Sequence, residues 1–440
     1  MNINRFDILD CTIRDGGYYT NWNFKEEFIK SYLLACANTP VSIIELGYIS
    51  DAKDTNGPYY HLDVNALKRA KKILGFNKKL FVMINFKEIN SPNALDKLLK
   101  NKAEFIDGVR FAVAPKNIKK FSFFISKVAP KYKNISFNLN LMYLSEWISK
   151  PKTIHSIFKN ISKYVDKVSF VDSYGALTPE DINSFMKKIN YSYEKKYLFG
   201  CHFHNNCGLA LANALTAQKN GCKIVDTTFT GMGRGAGNAE TELFMSIYPE
   251  TRKKIQGFHL NNFLEKLEKL KFEMKWGSSF AYAFAAKNGF SQSEMMDLIQ
   301  KRRLSPATAI EVISNKKKKK NILFKDNKTI SKFKLLVKST PVVIGGAKSF
   351  LDNGSQLLKV VGQKSPIIFS GNNAFKNFLK LKIKIDNPKI LILTGDEIKK
   401  MEKKFQNFNS KKLDLSLVIA EEKFLPINLI KKNSKIIFSD

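Results

Sequence analysis

From residue 6 to residue 229, short apolar, β-branched runs alternate with longer amphipathic segments, and no other feature restricts the fold of this chain so strongly. A strand covered on both faces is apolar throughout, whereas the helix that covers it is apolar along one stripe only, so this alternation predicts a parallel α/β fold. Strands are expected at 6–12 (FDILDCT), 42–47 (SIIELG), 79–85 (KLFVMIN), 106–112 (IDGVRFA), 135–141 (ISFNLNL), 166–172 (DKVSFVD), 198–204 (LFGCHFH) and 223–229 (KIVDTTF). Helical patterns fall between them at 25–37, 62–73, 92–100, 117–129, 153–163, 179–189 and 209–219. Eight strand–helix repeats in roughly 250 residues suit a (β/α)8 TIM barrel better than an open sheet.

The pattern continues as helices over 256–314, where the segment WGSSFAYAFAAKNGF (276–290) is expected to close onto the barrel. The lysine run 316–320 then interrupts it, and 315–334 reads as a charged, solvated linker. Beyond the linker, PVVIGGAKSF (341–350), PIIFSGNN (366–373), KILILTGD (389–396), DLSLVIAEE (414–422) and KIIFSD (435–440) predict a small α/β domain over 335–440. Three segments follow: a barrel with its helical extension at 1–314, the linker at 315–334, and the small domain. The turn at Gly345–Gly346 reads more readily as a plain strand–helix turn than as a phosphate cradle, because neither a full GxGxxG nor a Walker lysine accompanies it.

Composition excludes several alternatives. Hydrophobic residues make up 44% and charged residues 25% of the 440, as in ordinary globular proteins. No stretch approaches the roughly 18–20 apolar residues of a membrane helix, and MNINRFDILD lacks the apolar core of a signal peptide. Five cysteines without CxxC spacing read as reduced thiols, which points to the cytoplasm. The net charge of +34 raises nucleic-acid binding. Yet the lysines are spread along the whole chain, with no recognition helix, RNP or zinc-finger pattern, so no specific nucleic-acid partner is expected.

Polar residues gather where the expected strands end: Arg14 and Asp15, Glu45, Asn85, Arg110, Asn140, Asp172, then His202 and His204. In a barrel of this kind that rim carries the chemistry. His202 and His204 stand two apart on a strand, so the pleat turns both imidazoles to one side. Two imidazoles with a carboxylate from a neighbouring strand make a facial set for a divalent ion. Asp15 can supply the carboxylate, and Asn238 in the loop GMGRGAGN a further amide oxygen. His61, His155 and His259 belong to no motif and read as structural or solvated.

LDCTIRDGGYYTNWNF (9–24), GCHFHNNCGLALANAL (200–215) and GMGRGAGNAETE (231–242) together resemble the DRE-TIM metallolyase superfamily, over roughly residues 5–314. That superfamily includes 4-hydroxy-2-oxoacid aldolases, hydroxymethylglutaryl-CoA lyase, and the isopropylmalate and homocitrate synthases. The resemblance implies that Asp15, His202 and His204 bind a divalent cation, Mn or Mg, with Asn238 as a further ligand. It also implies that Arg14 steadies an enolate oxygen, with a 2-oxo acid and an aldehyde as small-molecule partners. Gly17, Tyr18 and Tyr19 follow the RDG where the synthases and the acyl-CoA lyase have Glu–Gln or Leu–Gln, which leans toward the aldolases. Tyr18, however, replaces the histidine that serves those aldolases as base. Tyr18, Tyr19 and Tyr282 are therefore the candidate bases, Tyr282 because its segment resembles the one that donates an aldolase tyrosine. Glu45 and Asp172 are expected to order the metal's surroundings or to bind substrate hydroxyls, and Arg110 to pair with a carboxylate or phosphate on the aldehyde portion.

Three readings remain. The first is a metal-dependent lyase joining or separating a pyruvate-type enolate and an aldehyde. The second is a Claisen-type acyl-CoA acyltransferase, and the third a barrel without catalysis that serves as a binding module. Intact Arg14, Asp15, His202 and His204 argue against the third, and the missing Glu–Gln against the second. Barrels of this superfamily commonly associate, so a homo-oligomer is expected.

Overall fold

All eight expected strands form, and they close on themselves. In the computed structural model they are β1 (Asp7–Asp10), β2 (Ile43–Tyr48), β3 (Lys79–Asn85), β4 (Gly108–Val113), β5 (Ser136–Leu141), β6 (Val165–Asp172), β7 (Leu198–Phe203) and β8 (Ile224–Thr227). Each pairs in parallel with the next, and β8 returns to β1 with Leu9 opposite Asp226. The structure describes residues 6–248, 251, 254–301 and 305–317, with five short strands further along at 342–345, 367–370, 389–393, 415–419 and 436–439.

The crossover helices lie where the periodicity puts them, and local chemistry sets their ends. Thr178 caps helix Pro179–Tyr193 in a reciprocal box with Asp181, and Pro179 opens it with its φ already suited to a helix. Asp63 and Ser91 accept from Ala66 N and Ala94 N to start Val64–Leu74 and Pro92–Leu99. The apolar faces of these helices bury Leu67, Leu95, Phe121, Ile182 and Phe185 against the outside of the barrel.

Inside the barrel, side chains from neighbouring strands stack in layers. Leu9, Ile43, Phe81 and Ile224 form an apolar plug at the amino-terminal end. Gly108 makes room for it, since a Cβ there would lie 2.5 Å from the Phe81 ring. Two residues further along each strand come Glu45, Arg110, Asn138, Ser169 and Asp226, all 4% exposed or less. Two further again, Asn85, Ala112, Asn140, Val171 and His202 reach the mouth, where a pocket opens. The barrel therefore has a polar layer beneath its mouth, and that layer carries the site.

The chain divides into two compact units, Met1–Asp297 and Leu298–Asp440. Within the first, helix Phe280–Lys287 and the segment before it are tied to the loops after β7 and β8, through Trp276 Nε1 to Thr230 O and Asn206 Nδ2 to Tyr282 O. The second holds helix Pro306–Lys317 and a five-stranded parallel sheet. Its strands are β9 (Val342–Gly345), β10 (Ile367–Ser370), β11 (Lys389–Leu393), β12 (Leu415–Ile419) and β13 (Ile436–Ser439), in the order β12–β11–β10–β9–β13. The first four fall within runs expected to be strands, and the fifth lies within the closing run 435–440. Residues 318–334 of the expected linker lie outside the described residues, as does Gly346 of the glycine turn, whose Gly345 ends β9. Among the described residues no helix is long and apolar enough to cross a membrane.

Candidate active site

Asp15, in the first turn of helix Thr12–Thr20, meets the two histidines at the carboxyl end of the barrel. One ligand atom from each of Asp15, His202 and His204 lies within 4.8 Å of the others, and the residues are 1%, 2% and 3% exposed. Both Nε2 atoms are 3.9 Å from Asp15 Oδ2. Their orientation is imposed from behind. His204 Nδ1 lies 2.9 Å from the Asp172 carbonyl, which can only accept, so Nδ1 carries the proton and Nε2 a bare lone pair. That Nε2 is buried without a partner. His202 Nδ1 is 3.2 Å from Asp226 Oδ2, the carboxylate–histidine pairing that raises ligand basicity.

Charge agrees with this arrangement. Burial and the neighbouring His202 hold the His204 imidazole down to about 3, so it is neutral at physiological pH. Burial would raise the Asp15 carboxyl, yet Arg14 beside it, with the two imidazoles, keeps it well below the usual carboxylate range. Asn238 donates through Nδ2 to Asp15 Oδ2 at 2.5 Å, leaving its buried Oδ1 without a partner. Gly233 lets the loop close over this cluster, since a Cβ there would come within 2.8 Å of Asp15 Oδ2. An ionised carboxylate, a neutral imidazole with its lone pair bare and a second imidazole converge beside the Asn238 amide, whose oxygen is unpartnered, and this is a donor set that fits a divalent cation.

Beneath it runs a chain of buried ion pairs. Arg14 donates from Nε to Glu45 Oε1 and from Nη1 to Asp15 Oδ1, each at 2.6 Å. Glu45 Oε2 accepts from Arg110 Nη1 at 3.1 Å, and Arg110 Nη2 reaches Asp226 Oδ2 at 2.5 Å. Arg110 therefore does not face the pocket. It lies one layer below, two residues before the pocket-lining Ala112, and is consumed by Glu45, Asp226 and Ser169. Glu45 likewise orders Arg14. Asp172 Oδ2 accepts from Leu177 N, and burial pushes its carboxyl up to about 6. Neither acid is among the residues that line the pocket. Asp226, which sequence reasoning missed, was signalled only by its inward place on β8.

The pocket above holds a cavity of about 150 Å³, small for a ligand site and suited to a compact, polar substrate. Arg14, Asp15, His202 and His204 form its floor. Its wall adds Tyr18, Tyr48, Asn140, Ser173 and Arg234, with Lys87 at the entrance. Tyr18 packs against Trp22 and under the Arg234 guanidinium, 4.8 Å from ring centroid to Cζ. Tyr282 does not line the pocket. Its ring backs onto Gly235, its hydroxyl is buried without a partner, and burial pushes it up to about 12. Tyr19 is spent on Gly235 O at 2.7 Å. Tyr48, Lys87 and Arg234 were not singled out from sequence: the register shifts between Glu45 and Tyr48 at the end of β2, and strand alternation says nothing about Lys87 and Arg234, which follow the strands.

Residues 124–267 match the HMGL-like family. Over 244 residues the chain is 25% identical to oxaloacetate decarboxylase of Mycobacterium tuberculosis, covering 54% of this chain and 68% of that protein. It is 26% identical over 251 residues to 4-hydroxy-2-oxovalerate aldolase of Carboxydothermus hydrogenoformans, covering 54% and 69%. Among solved structures, the N-terminal domain of a candidate aldolase from Bacteroides vulgatus superposes with a TM-score of 0.58 at 32% identity, covering 67% of this chain and 96% of that one. With a closed eightfold barrel, and with the two histidines, the aspartate and the glycine-rich loop meeting at its mouth, the chain belongs to the HMGL-like family of DRE-TIM carbon–carbon lyases.

Proposed function

We propose that this protein is a divalent-metal-dependent aldolase-type lyase, which makes or breaks the bond between a pyruvate-type enolate and an aldehyde. The observation that carries the reading is the bare, buried Nε2 of His204, converging with His202 and an ionised Asp15 beside Arg14. Asp15, His202 and His204 would hold Mn or Mg, with Asn238 Oδ1 as a further ligand. Such a cation supplies Lewis acidity at the keto oxygen of a 2-oxo acid. The rest follows from the chain's own groups. Glu45 and Asp15 fix the Arg14 guanidinium, so its charge is in place before an enolate oxygen develops beside it. In the cleavage direction a base takes the proton of the 4-hydroxyl, the C3–C4 bond breaks, and its electron pair passes into the 2-oxo acid fragment as the enolate. The aldehyde leaves, and protonation of the enolate carbon gives the 2-oxo acid. Tyr18 is the candidate base that lines the pocket, whereas Tyr282 would act only through movement of the Gly235 loop.

The relation to an oxaloacetate decarboxylase suggests a second reaction for the same floor. Loss of carbon dioxide from oxaloacetate leaves its electron pair in the same pyruvate enolate, so both reactions share one half. That half is testable without knowing the other substrate. Deuterium exchange at the pyruvate methyl group, followed by proton NMR with Mn or Mg and with EDTA as control, should be metal-dependent and should vanish in Asp15→Ala and Arg14→Ala. Absence of exchange in protein shown to bind the metal would overturn the pyruvate-enolate reading.

A further inference from the structure

Arg234 occupies the outer wall of the pocket, and its charge has no committed partner. Its Nε is buried without a hydrogen-bond acceptor, and its Nη1 makes one long contact of 3.4 Å, to the hydroxyl of exposed Ser293. The guanidinium lies over the Tyr18 ring, which fixes its plane without neutralising it. Among the described residues no carboxylate pairs with it. The acid whose charge bears on it, Asp15, is already held by Arg14 and Asn238. Lys87 lines the same pocket, is exposed, and is likewise without an ion pair among the described residues.

The balance of charge shows what such a residue is for. Below, Arg14 and Arg110 face Asp15, Glu45 and Asp226, so the buried floor carries one excess negative charge. A divalent cation together with the single carboxylate of a bound 2-oxo acid brings that floor to neutrality. Arg234 then remains, in a partly desolvated wall where an unpaired guanidinium is unfavourable unless an anion meets it. Its reach toward exposed Ser293 puts it on the solvent side of the floor, where the part of a substrate far from the chelating end must lie.

We infer that Arg234 is a specificity-determining residue, which binds a second anionic group, a carboxylate or a phosphate, on the aldehyde portion of the substrate. The inference rests on the aldolase reading above and names the substrate class it leaves open. Arg234 takes the place that the sequence had given to Arg110. The geometry of a guanidinium fork suits either oxyanion.

The test uses the full chain with Mg²⁺ and pyruvate, and measures kcat/KM for glyoxylate, for glycolaldehyde phosphate, and for isobutyraldehyde, a neutral counterpart of glyoxylate in shape. The wild type should favour at least one anionic aldehyde over the neutral one. Arg234→Ala should lower that preference roughly 10- to 100-fold, and Arg234→Lys should restore part of it. Which aldehyde is favoured separates carboxylate from phosphate. A second readout does not depend on turnover. With oxalate occupying the floor, calorimetric titration of inorganic phosphate should show binding that weakens by a similar factor in Arg234→Ala. Equal use of charged and neutral aldehydes by an enzyme that does exchange pyruvate methyl protons would overturn the inference. So would phosphate binding that is unchanged in the variant, and phosphate binding absent from a wild type that favours glycolaldehyde phosphate. Failure of the methyl exchange itself would instead overturn the aldolase reading.

Discussion

The floor and the wall of this pocket are built on opposite terms. On the floor nearly every charged group is answered: Arg14 by Asp15 and Glu45, Arg110 by Glu45 and Asp226, His202 by Asp226, His204 by the Asp172 carbonyl. What remains open there is a small set of lone pairs converging on one point. On the wall, Arg234 and Lys87 have no such answers, and Tyr143, with φ of 62° in the left-handed region, is held through its backbone N–H by Ser173 Oγ. Groups held rigidly by several partners can aim charge at a reacting atom, and groups without partners must find them in a ligand. Under the proposed function, the floor would decide the chemistry and the wall what undergoes it.

The comparison is broken most directly from the floor. Asp15→Ala or His204→Ala removes a convergent donor, so Mn²⁺ binding followed by electron paramagnetic resonance should be lost or nearly so. The metal-dependent rate should fall by roughly 10³-fold or more, because Lewis-acid stabilisation is worth several kcal/mol. Folding should survive in His204→Ala, whose side chain lies outside the ion-pair layer, whereas Asp15→Ala also takes a counter-charge from Arg14 and should lose stability as well. A variant that kept metal affinity would show that the converging lone pairs are incidental.

Next in size is the effect of unpicking the layer itself. Glu45→Gln keeps the shape but leaves Arg14 and Arg110 buried with one fewer counter-charge. Removing one partner from a buried network of this kind destabilises by about 3–5 kcal/mol. Chemical denaturation should show that loss, and the change should exceed anything produced by Lys87→Gln on the exposed entrance, where about 0.5 kcal/mol is the ordinary limit. Equal effects would mean that the floor is no more rigidly determined than the wall.

The same contrast governs what the sequence reveals. Strand period two places His202 and His204 on one side, and Asp15 and the glycine-rich loop follow fixed ends of the barrel, so the meeting of Asp15 with the two histidines could be read directly. Height along a strand could not be. Arg110 and Ala112 point to the same side and differ by one pleat, about 6–7 Å, yet one lies buried in an ion pair and the other faces the pocket. That is why a substrate role was expected of Arg110. Arg234 was visible within GMGRGAGN, but its direction depends on the left-handed turns of that loop at Gly231, Gly235 and Gly237, which no periodicity encodes. Asp172 was noticed as a strand-end acid, whereas its backbone carbonyl is what orients His204.

One loop serves both regions, since residues 231–238 carry Asn238 to the floor and Arg234 to the wall, and its anchor offers the smallest test. Both carboxylate oxygens of Glu242 accept from Thr230 N, at 2.9 and 3.0 Å, where Thr230 adopts φ of 50°. Burial pushes the Glu242 carboxyl up to about 7, from an ordinary value of 4.5. Below pH 4.5 the group is protonated in folded and unfolded chains alike, and its contribution is complete. As pH rises from 4.5 to 7 the unfolded chain ionises first, so stability declines, and above 7 the decline is finished. Allowing for partial exposure, the loss is on the order of 1–2 kcal/mol. Glu242→Gln cannot ionise. It should therefore match the wild type near pH 4.5 and exceed it by that amount at pH 8, in denaturant titrations at the two pH values. Parallel stability curves for the two proteins would show that the carboxyl is solvated rather than buried. The loop would then be fixed by its other contacts, with Asp15, Tyr19, Asn205 and Trp276, and the wall would be coupled to the floor from within the pocket instead of from behind it.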